Sequence, residues 1–283
     1  MQIELSNRYE HMFNIAAHEL AEYTKEKNIQ SLILGVSGGV DSAVVAAIGK
    51  EACNIAKKNG HNVYLHGESI PSQSNSPDEI ERATTVCKYY CHTSYESKGY
   101  VDLVTNKIKA ILPSFEESQI FEAPLDLKIR IGNIKARVRM IRLFDQARFR
   151  KGIVLSTDNY TEFMLGFWTL HGDVGNFGPI QKLWKTEVYG IAEYIATDPV
   201  RACANAVPTD GLGITNSDID QLLPNWSPDM GNHRVAYKTV DDILISHLLN
   251  KGEYDKDHPV IKRYEETHFK RNDPVNISRD LML

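Results

Sequence analysis

The chain has 283 residues, 42% of them hydrophobic and 24% charged, with a formal net charge of −5. That length can bury a substantial core in one large domain or two small ones. The acidic balance argues against binding nucleic acid by bulk electrostatics, and no run of about 18 apolar residues provides a membrane span.

In chain order, residues 7–27 place Met12, Ile15, Ala16, Leu20 and Tyr23 at helical spacing. SLILGV, 31–36, predicts a strand, and 43–56, rich in Ala and Val, a helix. NVYLHG, 62–67, is a second strand. The polar loop 68–79 runs into a helix that starts at Ser76-Pro77, with proline at the first helical position and Asp78 and Glu79 in the first turn. Tyr100–Val104 reads as a short strand and 105–112 as a short helix. Gly132–Arg150 predicts a long helix with Ile134, Val138, Ile141 and Leu143 on its apolar side. GIVLS, 152–156, is a third strand. It is followed by a helix near 159–166, a glycine-rich loop at 171–179 and a helix over Thr186–Ile195. Thr197–Asn232, rich in Pro, Asp, Asn and Gly, reads as loop, and helices over 238–250 and 257–269 close the chain. Strands alternating with helices predict an α/β fold, a doubly wound and mostly parallel sheet with helices on both faces. Ligands in such sheets sit at the carboxyl ends of the strands.

Cys53, Cys87, Cys91 and Cys203 form no CxxC pair, and only His92 lies near the Cys87/Cys91 spacing as a further ligand, which favours free thiols over zinc. The opening MQIELSNRYE lacks the basic segment of a secretory signal, so a cytoplasmic protein with no membrane partner and no nucleic-acid partner is expected.

The corner SGGVDS, Ser37–Ser42, lies at the carboxyl end of the first strand. A tight turn with a helix cap needs one glycine and one Ser or Asp. Here paired glycines let backbone N–H groups approach a ligand, and the following helix offers unpaired N–H groups and a positive dipole end. The result is a phosphate cradle. It is neither a Walker A loop, since no G-K-[ST] follows, nor a dinucleotide GxGxxG. The pattern resembles the pyrophosphate loop of the ATP pyrophosphatase (adenine nucleotide alpha hydrolase-like) superfamily. That resemblance implies cleavage of ATP between its α- and β-phosphates while a substrate oxygen takes AMP.

Within that superfamily, 132–188 looks like ammonia-dependent NAD synthetase. The matching pieces are Gly132-Asn133 with Lys135-Ala136-Arg137, Ser156-Thr157-Asp158 with Glu162, Gly166-Phe167, Gly172-Asp173 and Lys185. Val207–Leu212 resembles the family's later nucleotide-binding turn, and Thr267–Arg271 its basic C-terminal segment. The resemblance implies a single domain over 1–283 that amidates deamido-NAD with ammonia and ATP through an NAD-adenylate. It assigns ATP to Gly35, Val36, Ser37, Gly38, Gly39, Val40, Asp41, Ser42, Thr157, Lys185 and Thr209. Mg²⁺ falls to Asp41 and Glu162. Deamido-NAD falls to Arg137, Asp173, Phe269 and Lys270. Ammonium must lose a proton before attack; the resemblance names no base for it, and Asp173 is a guess. It also implies a homodimer with the dinucleotide near the subunit interface. Free ammonia is the expected donor unless a separate subunit supplies it, because the synthetase pattern leaves no room for a glutaminase domain within these residues.

The residues also have plainer readings. The segment 128–151 carries nine basic residues and one acidic one, which by itself describes a solvated helix face. A lysine at a helix N-terminus, as at 185, opposes the dipole and predicts a bound anion. The chain departs from the family at Leu170, where a lysine is usual, and at Asn176-Phe177, where a one-residue deletion removes an acidic position. Both lie on the deamido-NAD side, which raises the alternative of the same chemistry on another acid such as nicotinate mononucleotide. A non-catalytic nucleotide-binding module would make Asp41 and Glu162 dispensable. The longer segment 213–228 has no reading.

Overall fold

Strand β1 (Ser31–Gly35) is an unbroken apolar run because both of its faces are covered. In the computed structural model, which describes residues 2–112, 114–115, 123–214, 219, 222–223, 233–249 and 257–272, β1 lies inside a parallel sheet of order β3–β2–β1–β4. Its neighbours are β2 (Tyr64–Ser69), in register Ser31 to Tyr64, and β4 (Gly152–Val154), in register Ser31 to Gly152. Among the described residues the edge strand β3 (Thr93–Glu96) pairs with β2 alone, and it is largely solvent-facing.

Alternate residues of β1 feed different cores. Leu32, Leu34 and Val36 point to a layer built from α1 (Gln2–Glu26), α2 (Val40–Lys58), α3 (Pro77–Tyr90), α7 (Lys185–Ile195) and α8 (Asp198–Asn205). Ile33 points the other way, with Val154, to α4 (Tyr100–Ile111) and α5 (Pro124–Phe149), where it meets Val101, Val138, Met140 and Leu143. Each such fully buried side chain stabilises the fold by roughly 1.5–3 kcal/mol. A third apolar cluster joins α6 (Tyr160–Leu165), α9 (His233–Leu248) and α10 (Pro259–Glu266), which is followed by the short α11 (His268–Arg271).

Two sequence expectations are corrected. Tyr100–Val104 is the first part of α4 and not a strand. Its β-branched residues suit a strand locally, but Val101, Val104 and Ile108 follow an i, i+3, i+7 spacing that turns them onto the same core. Within the expected loop 197–232, α8 forms, with Pro199 in its first turn and Val200, Cys203 and Ala204 buried. The long helix starts at Pro124, eight residues before Gly132. Most of 213–228 lies outside the described residues. The start of α3 follows the sequence reading: Ser76 N–H donates to Glu79 Oε2 at 2.7 Å and Glu79 N–H to Ser76 Oγ at 3.2 Å, with Pro77 at the first position.

Candidate active site

The carboxyl ends of β1, β2 and β4 open onto a cavity of about 440 Å³. Ser37–Ser42, Thr157, Asp158, Glu162, Asp173, Lys185, Thr209 and Lys270 line it. A second chamber of about 250 Å³ is lined by Gly35, Val36, Ile70, Met140 and Leu143, and shares Ser37, Asn75, Thr157, Asp158 and Asp173 with the first. The first chamber is polar and apolar in equal measure and the second mostly apolar, and the phosphate-loop corner is their common wall.

The corner is stitched by its own serines. Ser42 Oγ accepts from Ser37 N–H at 3.3 Å and donates to the Gly39 carbonyl at 3.1 Å, while Gly39 N–H donates to Ser37 Oγ at 3.3 Å. The two glycines differ in kind. Gly38 has φ +87°, and a Cβ there would lie 2.3 Å from the Glu79 carbonyl oxygen of α3. Gly39 has an ordinary φ of −88°, and its Cβ would meet nothing nearer than Ser37 Oγ at 3.4 Å. Gly39 is also the N-cap of α2 and leaves that end without a side-chain cap. The helix therefore presents its first N–H groups toward the cavity.

Lys185 is 5% exposed, and a lysine so buried requires partners. Its Nζ donates to Asp41 Oδ2 at 2.5 Å and to Glu162 Oε1 at 3.2 Å, and lies 5.1 Å from the Tyr237 ring. Burial works against the ammonium, but the two carboxylates outweigh it and hold its pKa well above the ordinary value. The anion that the sequence predicts at this helix start is thus supplied by the chain itself. Asp41 also accepts from Asn159 Nδ2 at 3.0 Å, and Asn159 caps α6 in a reciprocal box with Glu162.

Behind this pair stands Asp241 of α9, 1% exposed. It accepts from Thr161 Oγ1 at 2.5 Å and from Thr186 N–H at 2.9 Å, and Thr161 Oγ1 in turn accepts from Lys185 N–H at 2.9 Å. One buried carboxylate thereby fixes the starts of both α6 and α7. Burial raises its pKa.

Two further carboxyls share the wall of both chambers. Asp158 accepts from Ser156 Oγ at 2.6 Å; burial, and then the charge of Asp173, push its pKa up to about 7. Asp173 accepts from Thr169 N–H at 2.8 Å and is also raised by burial. Toward the far end, Lys270 donates to the carbonyls of Gly166 (2.6 Å) and Trp168 (2.5 Å), and burial and Arg263 lower its pKa to about 8.

Not every expected site residue meets here. Thr209 reaches the wall by donating to the Glu79 carboxylate. Arg137 points off the cavity, donating to the Leu170 carbonyl at 2.8 Å, and Phe269 is 53% exposed and outside it. Arg139 instead enters the second chamber, donating to the carbonyls of Ile70 and Gly211 and to Asn75 Oδ1. Sequence reasoning missed Arg139, Asp241 and Arg82 (which donates from Nε to the Gly38 carbonyl at 3.1 Å). For Arg139 a signal existed: it shares a helix face with Gly132, Ala136, Met140 and Leu143, which are buried.

A model of the NAD synthase family matches residues 12–274. The NH(3)-dependent NAD(+) synthetase of Wolinella succinogenes is 32% identical over 216 residues, covering 72% of this chain and 75% of that protein. Its counterpart from Campylobacter jejuni subsp. doylei is 29% identical over 245 residues, covering 82% and 88%. Among solved structures, NMN synthetase from Francisella tularensis superposes with a TM-score of 0.71 at 21% identity, covering 95% of this chain and 98% of that one. NAD⁺ synthetase from Burkholderia pseudomallei gives 0.67 at 23%, covering 94% and 91%.

Proposed function

The chain belongs to the NAD synthase family, and from that premise we propose that it is a C–N ligase that amidates deamido-NAD with ammonia and ATP. The observation that carries this reading is the convergence of the SGGVDS loop, Asp41, Glu162 and Lys185 on the wall between two chambers. The apolar chamber beside Gly35 and Val36 suits an adenine, the loop and the start of α2 suit the phosphates, and the larger cavity suits the acid. Residues 1–283 act as one domain.

A nicotinate oxygen attacks the α-phosphorus, the bond to the bridging oxygen breaks, and pyrophosphate leaves with the electron pair. Ammonia then attacks the acyl carbon and AMP departs. Ammonium must first give up a proton, and Asp173 is the acceptor. Its burial raises the carboxyl's pKa and makes it a better base.

Asp41 and Glu162 fit Mg²⁺. They converge on one cation position, taken here by Lys185 Nζ. Mg²⁺ takes one or two carboxylates and completes its shell with phosphate oxygens and water, so two carboxylates beside a phosphate cradle suffice. Bound there, Mg²⁺ would neutralise phosphate charge, with Lys185 beside it on the same phosphates.

Exposed Ile141 and Phe144 lie on α5 and Leu103 and Ile111 on α4, while exposed Leu125 and Ile129 of α5 edge the larger cavity. A second copy of the chain covers this face, and Arg137, placed off the cavity in one copy, contacts the dinucleotide at that boundary. Sedimentation of the purified protein as a monomer would remove the dimer from this reading.

The assay is product identification with deamido-NAD, ATP, Mg²⁺ and ammonium. NAD, AMP and pyrophosphate are expected, and ADP in place of AMP overturns the mechanism. A second reading is favoured by the 170–177 loop: Asn176 Oδ1 is engaged by Val154 N–H at 2.9 Å and the Phe177 carbonyl by Ser156 N–H at 2.8 Å, so this stretch is bound to the sheet. With Leu170 beside it, the loop offers less polar surface to a dinucleotide. On this second reading the acid is nicotinate mononucleotide, and the ratio of the two kcat/KM values decides between them.

A further inference from the structure

We propose that Arg82 of α3 is a further catalytic residue, gripping the pyrophosphate as it leaves; this rests on the ATP-cleaving reading above. α3 approaches the loop so closely that a Cβ on Gly38 would touch the backbone of Glu79 and Ala83. On that same turn Arg82 donates from Nε to the Gly38 carbonyl at 3.1 Å, which ties the root of the guanidinium to the loop itself. The side chain lines the larger cavity together with Ser37–Ser42 and Thr209.

The other charges nearby have partners in the ligand-free chain, and Lys185 reaches the phosphates from the side of Asp41 and Glu162. Lys185 is held between Asp41 and Glu162. Glu79, one turn before Arg82, accepts from Ser76 N–H and from Thr209. Lys270 donates to the carbonyls of Gly166 and Trp168, on the acid side of the cavity. Among the described residues Arg82 forms no ion pair, so its two terminal nitrogens keep their donors for a ligand.

Those donors match a pyrophosphate. When the α-phosphorus bond to the bridging oxygen breaks, the electron pair stays with the leaving group and its charge rises. A guanidinium anchored to the cradle meets that charge with two parallel N–H donors and little reorganisation. A lysine at 82 would supply the charge without the fork.

The test measures binding of inorganic pyrophosphate with Mg²⁺, and of AMP, to the full chain by calorimetry, for wild type, Arg82→Gln and Arg82→Lys. Glutamine can still donate to the Gly38 carbonyl, so a purely structural role survives in it. We expect Arg82→Gln to weaken pyrophosphate roughly 10- to 100-fold, as loss of a hydrogen-bonded charge implies, and AMP less than about twofold. Arg82→Lys should keep part of the pyrophosphate affinity. Unchanged pyrophosphate binding in Arg82→Gln, or equal loss of both ligands, overturns the assignment while leaving the ATP reading intact. A wild-type protein that binds neither pyrophosphate nor AMP overturns both.

Discussion

Replacing each glycine of the loop by alanine separates what the fold needs from what a ligand needs. At Gly38, the left-handed backbone costs an alanine about 1–2 kcal/mol. The new methyl would also lie 2.3 Å from the Glu79 carbonyl oxygen, a backbone atom that no side-chain rotation can move aside. Together these put the destabilisation at about 2–4 kcal/mol and the fall in Tm on the order of 5 °C or more. At Gly39 the angle is ordinary and the nearest atom is 3.4 Å away. Losing a glycine N-cap is offset by a less flexible unfolded chain, about 0.4–1 kcal/mol, so Tm should barely move. Yet Gly39 is where phosphate would approach the α2 N–H groups, and a methyl there should raise the KM for ATP roughly tenfold or more, about 1.4 kcal/mol. Differential scanning fluorimetry and initial rates on both variants read the two effects. If Gly39→Ala is as unstable as Gly38→Ala, or if it binds ATP normally, the reasoning fails.

Asp241→Ala strands two buried donors and should cost about 2–4 kcal/mol in urea unfolding; Asp241→Asn, which keeps one acceptor, should recover much of this, and kcat should fall in the alanine variant as Lys185 and Glu162 lose register. Asp158 holds its proton up to about 7 in the folded chain, against an ordinary value of 3.8, so the folded state binds more protons in that window and stability falls as pH rises through it. Asp158→Asn should flatten this slope, measured as Tm against pH. Lys270, charged up to about 8, should make kcat/KM for the acid substrate decline above that pH; in Lys270→Met the value should be low and flat.

Much of the fold is local in origin and therefore legible. The SLILG run, the alternation of strands and helices, and the Ser76-Pro77 helix start each report their own structure through short-range rules. What escaped depended on distant partners. Thr93–Glu96 is a strand because β2 lies beside it, and its own sequence carries no apolar alternation. Tyr100–Val104 became helical through contact with Val138 and Met140. In the site, 37–42 and 157–162 lie beyond strand carboxyl ends, where the fold class places ligands, whereas the roles expected of Asp41, Thr157, Glu162 and Lys185 came from the family resemblance. Asp241, from a helix far along the chain, has no such marker. Arg137 and Arg139 differ only in rotation about one helix axis, and only the burial of Gly132 and Ala136 distinguishes them.

The carboxylate of Asp241 also orders events in time. A nascent chain emerging from the ribosome has Ser37–Ser42, Glu162 and Lys185 in hand long before α9 is made. Until that helix docks, Thr161 and Lys185 lack the anchor that aligns them. The full set of contacts at the starts of α6 and α7 therefore forms only after α9 is made, later than the loop and the carboxylates it serves.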